Sequence, residues 1–203
     1  MRVRHIVWML LAVACSTRSA PRGIVCQSSE ALFPDTSLQR MEGWYGPQWR
    51  ALEAGPLCGM PASVSEVFRF VWLPSFHPAV AVTVSWTQFG STLVAKRLNG
   101  AGGYAPGGIA RDTTVELSST QEEMLQDLVM AAGFFTEPTK EPPTGGMGVD
   151  GAQWILEWAS AGRYHAVDRW SPRRDGPYKN FRALGEWFLK LSGLVPDSLV
   201  AEY

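Results

Sequence analysis

The residues of this chain that could do acid–base chemistry gather in one stretch, 149–172 (VDGAQWILEWASAGRYHAVDRWSP), which holds Glu157, His165 and Arg169. A histidine held by a carboxylate is half of a general-base arrangement, so Glu157 beside His165, with Gln153 and Arg169 further along and Arg163 nearby, would suit an exported hydrolase. The missing part is a nucleophile. No G-x-S-x-G elbow occurs in the sequence, and the three cysteines have better uses than catalysis. A solvated cross-strand Glu157–His165 pair, worth only ~0.2–1 kcal/mol, is the plainer account. Asp168 raises the opposite question. Placed among aromatic side chains, it needs a partner, and Arg173, Arg174 or the backbone amides at the start of a last helix could supply one, which makes it a structural buried carboxylate with a perturbed pKa.

What positions these residues is a hairpin. Two runs rich in β-branched and aromatic side chains flank Ser160-Ala161-Gly162, which reads as a three-residue loop with glycine in the left-handed position. That loop pairs Trp158 with Tyr164, Leu156 with Ala166 and Trp154 with Asp168 on an apolar face. On a polar face it pairs Glu157 with His165, Ile155 with Val167 and Gln153 with Arg169.

The remaining elements follow from hydrophobic period and punctuation. Strands are expected at 66–73, 79–86, 92–98 and 109–117, each rich in β-branched or aromatic residues and separated by Pro, Gly or Ser turns. Ser118 and Ser119, followed three residues later by Gln121 and Glu122, form a capping-box pattern. It opens a helix that carries Met124, Leu125, Leu128, Val129 and Ala132 and ends at Gly133. A short helix between Trp44 and Gly55 would begin at Pro47. Beyond the hairpin, Asp175 caps a last helix that carries Tyr178, Phe181, Leu184, Phe188 and Leu191 and stops at Gly193 and Pro196. The order is ββββ-α-ββ-α. It predicts an α+β domain with a single antiparallel sheet of about six strands and helices packed on one face.

At the N-terminus, Arg2, Arg4 and His5 precede the apolar run 6–11 and the small residues Ala12-Val13-Ala14, so residues 1–14 read as a bacterial-type signal peptide. The run is too short to span a membrane, which needs ~20 apolar residues. Leu11-Ala12-Val13-Ala14-Cys15 resembles the lipobox of bacterial lipoproteins, in which the cysteine is lipidated. Ala12 stands where that motif usually has Leu, which leaves ordinary cleavage at the same bond open. With Cys15 lipidated, Cys26 and Cys58 are left to form one disulfide in an oxidising compartment. Residues 15–43, polar and broken by Pro21, Gly23 and Pro34, read as a tether or extended arm, and 44–203 as a single domain.

Composition excludes several classes. Hydrophobic content of 46%, charged content of 18% and nine tryptophans rule out a disordered chain, and a net charge of −1 gives no electrostatic reason to bind nucleic acid. The glycine-rich stretch 100–108, GAGGYAPGG, lacks the third glycine of a dinucleotide fingerprint, where Ala105 stands. It also lacks the Lys-Ser/Thr pair of a phosphate loop, so it reads as a flexible loop and no cofactor is expected. His77 and His165, the histidines outside the leader, have no second ligand at a zinc-type spacing, and no metal is expected. The many tryptophans suit either core packing or a stacking platform for sugars or peptides.

Five blocks in order, FVWLPSFHPAVAV, LNGAGGYAPGG, DGAQWILEW, GRYHAVDRWSP and LKLSGL, resemble those of a family of uncharacterised exported bacterial proteins over residues 66–194. The resemblance implies a single domain and an extracytoplasmic setting and assigns no catalytic role. Together these readings predict a non-enzymatic cell-envelope protein, periplasmic or lipid-anchored. Its partner would be a protein or glycan, and it would touch the membrane only through a lipid on Cys15. The alternative is a hydrolase built on Glu157, His165 and Arg169.

Overall fold

The computed structural model describes residues 23–27, 30–102, 104–141 and 150–203. The signal peptide, the cleavage site and Cys15 lie outside them. One antiparallel sheet of seven strands organises the chain, in the order β1-β7-β6-β2-β3-β4-β5. The strands are β1 (Ile24–Val25), β2 (Val64–Pro74), β3 (Val80–Thr87), β4 (Gly90–Leu98), β5 (Ile109–Glu116), β6 (Ala152–Ser160) and β7 (Arg163–Trp170). The helices are α1 (Thr36–Gln39), α2 (Glu42–Ala51), α3 (Ser119–Ala131), α4 (Lys179–Ser192) and α5 (Asp197–Ala201), with a 3-10 turn at Leu57–Gly59. This is an α+β fold.

Strands β2 to β5 form a meander of consecutive antiparallel strands: β2–β3 and β3–β4 are joined by short turns and β4–β5 by the glycine-rich loop, and β2 to β4 set large apolar residues on one face while β5 closes the edge largely exposed. After β5, α3 carries the chain back across that face, so β6 pairs with β2 rather than with β5. The capping box at the start of α3 is complete: the Ser118 hydroxyl accepts from the Gln121 amide, and the Gln121 side chain accepts from the Ser118 amide. Gly133 follows α3 at φ 62°, and α4 ends at Gly193 at φ 63°.

The sheet is covered on both faces, which corrects the expectation of helices on one. On the first face α3, α4 and α5 pack over Phe68, Phe70, Trp72, Trp154, Leu156 and Trp158. On the second, α1 and α2 bury Phe33, Leu38, Tyr45, Trp49 and Leu52 against Val67, Val71, Ile155, Ala159, Tyr164 and Ala166. Residues 30–43, expected to belong to a tether, are therefore part of this second core: Phe33 and Leu38 are fully buried. Asp35 caps α1 by accepting from the Ser37 amide.

β1 lies in the same expected arm. It pairs with β7 beside the hairpin turn, and Cys26, whose amide donates to the Gly162 carbonyl, is joined to Cys58 by a disulfide. Pro47 sits inside α2 rather than at its start. Tyr178, not Asp175, occupies the N-cap of α4: a turn through Gly176 separates Asp175 from the helix, and Asp175 pairs at the surface with Arg173.

The hairpin turn differs from expectation by one residue, with large effect. Ala161 (φ 49°) and Gly162 (φ 72°) are both left-handed, so the loop has two residues, the kind of turn whose twist matches that of the strands. The ladder accordingly pairs Ser160 with Arg163, Trp158 with His165, Glu157 with Ala166, Leu156 with Val167, Ile155 with Asp168, Trp154 with Arg169 and Gln153 with Trp170. A slip of one residue turns every side chain of one strand to the other face. Glu157 and His165 therefore lie on opposite sides of the sheet.

Candidate functional site

On the second face Glu157 is fully buried, and both of its carboxylate oxygens accept hydrogen bonds. Arg69 Nε donates to Oε2 at 2.7 Å and Trp49 Nε1 donates to the same oxygen at 3.3 Å, while the Tyr164 hydroxyl donates to Oε1 at 2.8 Å. Burial, and then the Glu157 charge, push the Tyr164 phenol well above its ordinary range. Arg69 Nη1 ties this cluster to the second layer through the Gly55 carbonyl at 2.6 Å.

Asp168 lies on the same face, so it is not among Trp154 and Trp158 as the expected register placed it. Its Oδ2 accepts from the Tyr45 hydroxyl at 2.8 Å and from Lys140 Nζ, which also lies 3.1 Å from the Tyr45 oxygen. Burial raises the Asp168 carboxyl, and the Lys140 and Tyr45 contacts oppose that rise. Arg173 and Arg174, the partners expected for it, pair instead with Asp175 and Glu186.

His165 and Arg169 face the α3–α4 side. His165 Nε2 is 2.9 Å from the Phe134 carbonyl, and its ring lies edge-on to Phe134 at 4.9 Å. Burial lowers its pKa from 6.5. The Arg169 guanidinium is fully buried, donating to the carbonyls of Asp168 (2.8 Å) and Pro138 (3.0 Å) and to Glu137 (2.8 Å), and it stacks on Tyr178 at 4.6 Å. It fastens the 137–139 segment to β7. Thus Glu157, His165 and Arg169 do not converge: a buried carboxylate bonded to Arg69, Trp49 and Tyr164 lies on one side of the sheet, and an imidazole among aromatic rings and backbone lies on the other.

Sequence reasoning missed Arg69, Tyr45 and Lys140. A signal existed for Arg69, the one charge inside the apolar run VFRFVWL (67–73), which required a buried counter-charge. None existed for Lys140, which stands in a proline-rich segment and reaches Asp168 through the tertiary fold.

The exposed chemistry lies at the end of the sheet where β2 finishes and β5 begins. The glycine-rich loop is more ordered than its composition suggests: the Ala101 amide donates to the Ala105 carbonyl at 2.8 Å, and the Asn99 side chain accepts from the Gly108 amide at 3.0 Å. Gly102, at φ 58°, lies so close to the next turn that a Cβ there would meet the Ser75 carbonyl oxygen at 2.1 Å, so only glycine fits. Gln48 of α2 donates to the Gly102 carbonyl at 3.1 Å. Tyr104 is thereby held against Trp44, edge to face with ring centres 6.5 Å apart. Both rings face solvent, Trp44 at 49% and Tyr104 at 76% exposure, and Phe76 on the adjoining turn is exposed as well.

Two clefts of about 220 and 240 Å³ flank the sheet, both smaller than the ~300–1,000 Å³ usual for organic ligands. Among the described residues no group of three or more His, Cys, Asp or Glu could hold a metal ion, and no helix is long and apolar enough to cross a membrane. No protein-family model matches the chain, and a search of curated proteins finds no relative.

Proposed function

We propose that this chain is a non-enzymatic, exported cell-envelope protein that holds a glycan on the Trp44–Tyr104 platform. The observation that carries the reading is the pair itself: two large rings left exposed, positioned by a loop whose Gly102 accepts no side chain. Such rings offer an apolar face to a sugar and a polar edge to water. Few charged groups are needed for a neutral saccharide. A stable protein interface buries over ~1,000 Å², more than two or three rings supply, which favours the glycan over a protein partner. Export through residues 1–14 and a lipid on Cys15 belong to the same proposal, and the Cys26–Cys58 disulfide suits an oxidising compartment. A hydrolase on Glu157, His165 and Arg169 is the weaker reading, because the three do not meet.

The test is co-sedimentation with purified peptidoglycan sacculi stripped of protein. The wild type should pellet, soluble sacculus fragments should release it, and Trp44→Ala should weaken binding at least about tenfold, as loss of an aromatic anchor does. A wild type that stays in solution, or a Trp44→Ala chain that pellets equally, would overturn the proposal.

A further inference from the structure

We infer that the cleft between the turn after α2 and strands β2–β4 binds a small oxyanion, a phosphate or carboxylate group, between Arg69 and Lys96. The cleft is the one of about 240 Å³, lined by Glu53, Gly55, Arg69, Thr83, Val94 and Lys96. That volume suits one anionic group better than an organic cofactor.

Arg69 supplies the first observation. Its side chain is 3% exposed, and its charge cannot be relieved by losing a proton. Nε and Nη1 are bonded to Glu157 and Gly55, but Nη2 is buried with no partner among the described residues. A buried donor left unmatched is unfavourable, and an acceptor in this cleft would satisfy it. Glu157 shares its two oxygens with Tyr164 and Trp49 besides Arg69, so it is not free to turn toward that nitrogen.

The second observation is Lys96 with Glu53. Lys96 Nζ meets Glu53 Oε2 at 2.6 Å, and the Glu53 side chain is 69% exposed, so the pair is a surface contact that another anion can replace. Glu53 stands just past the end of α2 at φ 54°, a left-handed position where glycine is usual. A residue held in that conformation with its carboxylate on the rim of a basic cleft fits the part of a resident anion. When a ligand takes Lys96, Glu53 turns to solvent, and Arg69 and Lys96 then face Glu157 alone, a local excess of one positive charge for a monoanion. Thr83 lines the same cleft and offers a hydroxyl. Asp112, across the ladder from Lys96, is exposed to solvent and its screening.

The experiment is isothermal titration at low ionic strength with inorganic phosphate and with acetate in separate arms, against chloride at equal ionic strength. Binding of either above the chloride control is expected; phosphate alone assigns the site to phosphate groups, and acetate to carboxylates. Lys96→Gln should weaken it at least about tenfold, as loss of a charge-assisted bond does, and Glu53→Gln, which removes the competing carboxylate, should tighten it. Glu53 is exposed and Lys96 half-buried at the cleft rim, and neither bonds to Arg69 or Glu157, so both substitutions leave that buried pair in place; an unchanged urea midpoint checks that the fold is intact. No binding beyond chloride, or titrations that neither substitution changes, would overturn the inference.

Discussion

Removing the Glu157 carboxylate leaves the Arg69 guanidinium ionised inside a core, and breaking one side of a buried pair costs about 3–5 kcal/mol. Glu157→Ala should therefore lower the urea midpoint steeply. Adding Arg69→Met to it should recover part of the loss, the signature of a coupled pair. A shift below ~1 kcal/mol would instead describe a solvated surface pair. His165 gives a prediction in pH. Its folded pKa is lowered because burial disfavours the charged ring, so the fold binds fewer protons than the unfolded chain. Its contribution is complete above the ordinary value of 6.5 and is lost as the pH falls below that toward the lowered folded value. His165→Gln should flatten the fall in stability over that window, measured by urea melts at several pH values; an unchanged slope would place the responsible group elsewhere.

Among the elements, α4 makes the closest approach to the sheet at Gly185, where an added Cβ would lie 2.5 Å from the Trp154 ring and 2.8 Å from Phe70. Gly185→Ala should destabilise by ~1–3 kcal/mol, because overpacking a filled core outweighs the better helix propensity of alanine. A stabilised variant, read by thermal melting, would mean that α4 sits further from the sheet. At this scale much was legible in the sequence. β2 to β5 and α3 carry their period, their turns and a complete capping box locally, and the Cys26–Cys58 disulfide, expected once Cys15 was set aside for a lipid, is present. The hairpin faces were not legible, because β6 is buried on both sides, the face that carries Gln153 and Glu157 included. A register chosen to give one solvated face therefore had no valid criterion. Its true setting depends on Ala161 adopting a left-handed backbone, which residue type disfavours. α1 and the two-residue edge strand β1 were missed, and the short helix expected near Pro47 was not recognised as half of a second layer, because short, weakly amphipathic segments are ordered by the sheet they pack on or join.

For the whole molecule, the sheet separates two cores, and the ionisable residues of the hairpin join the layers. The Glu157 cluster fastens the second layer through Trp49 and Gly55, the Asp168 cluster fastens α2 and the 140 segment, and Arg169 fastens 137–139. The candidate site itself was half visible in the sequence. The glycine-rich loop was singled out, but Trp44 lies far from it in the chain, and only folding sets that ring against Tyr104. On the proposed reading, the buried charges of the hairpin hold the fold and the exposed rings hold the glycan. Comparing Glu157→Gln with Trp44→Ala in the sacculus co-sedimentation tests that division most directly. Glu157→Gln keeps the shape and most hydrogen bonds but leaves Arg69 without its counter-charge, so its urea midpoint should fall, while the folded chain, assayed well below that midpoint, should pellet like the wild type. Trp44→Ala, with an unchanged urea midpoint, should remain in solution. A folded Glu157→Gln chain that fails to bind while Trp44→Ala binds normally would contradict the account and return the site to the hairpin.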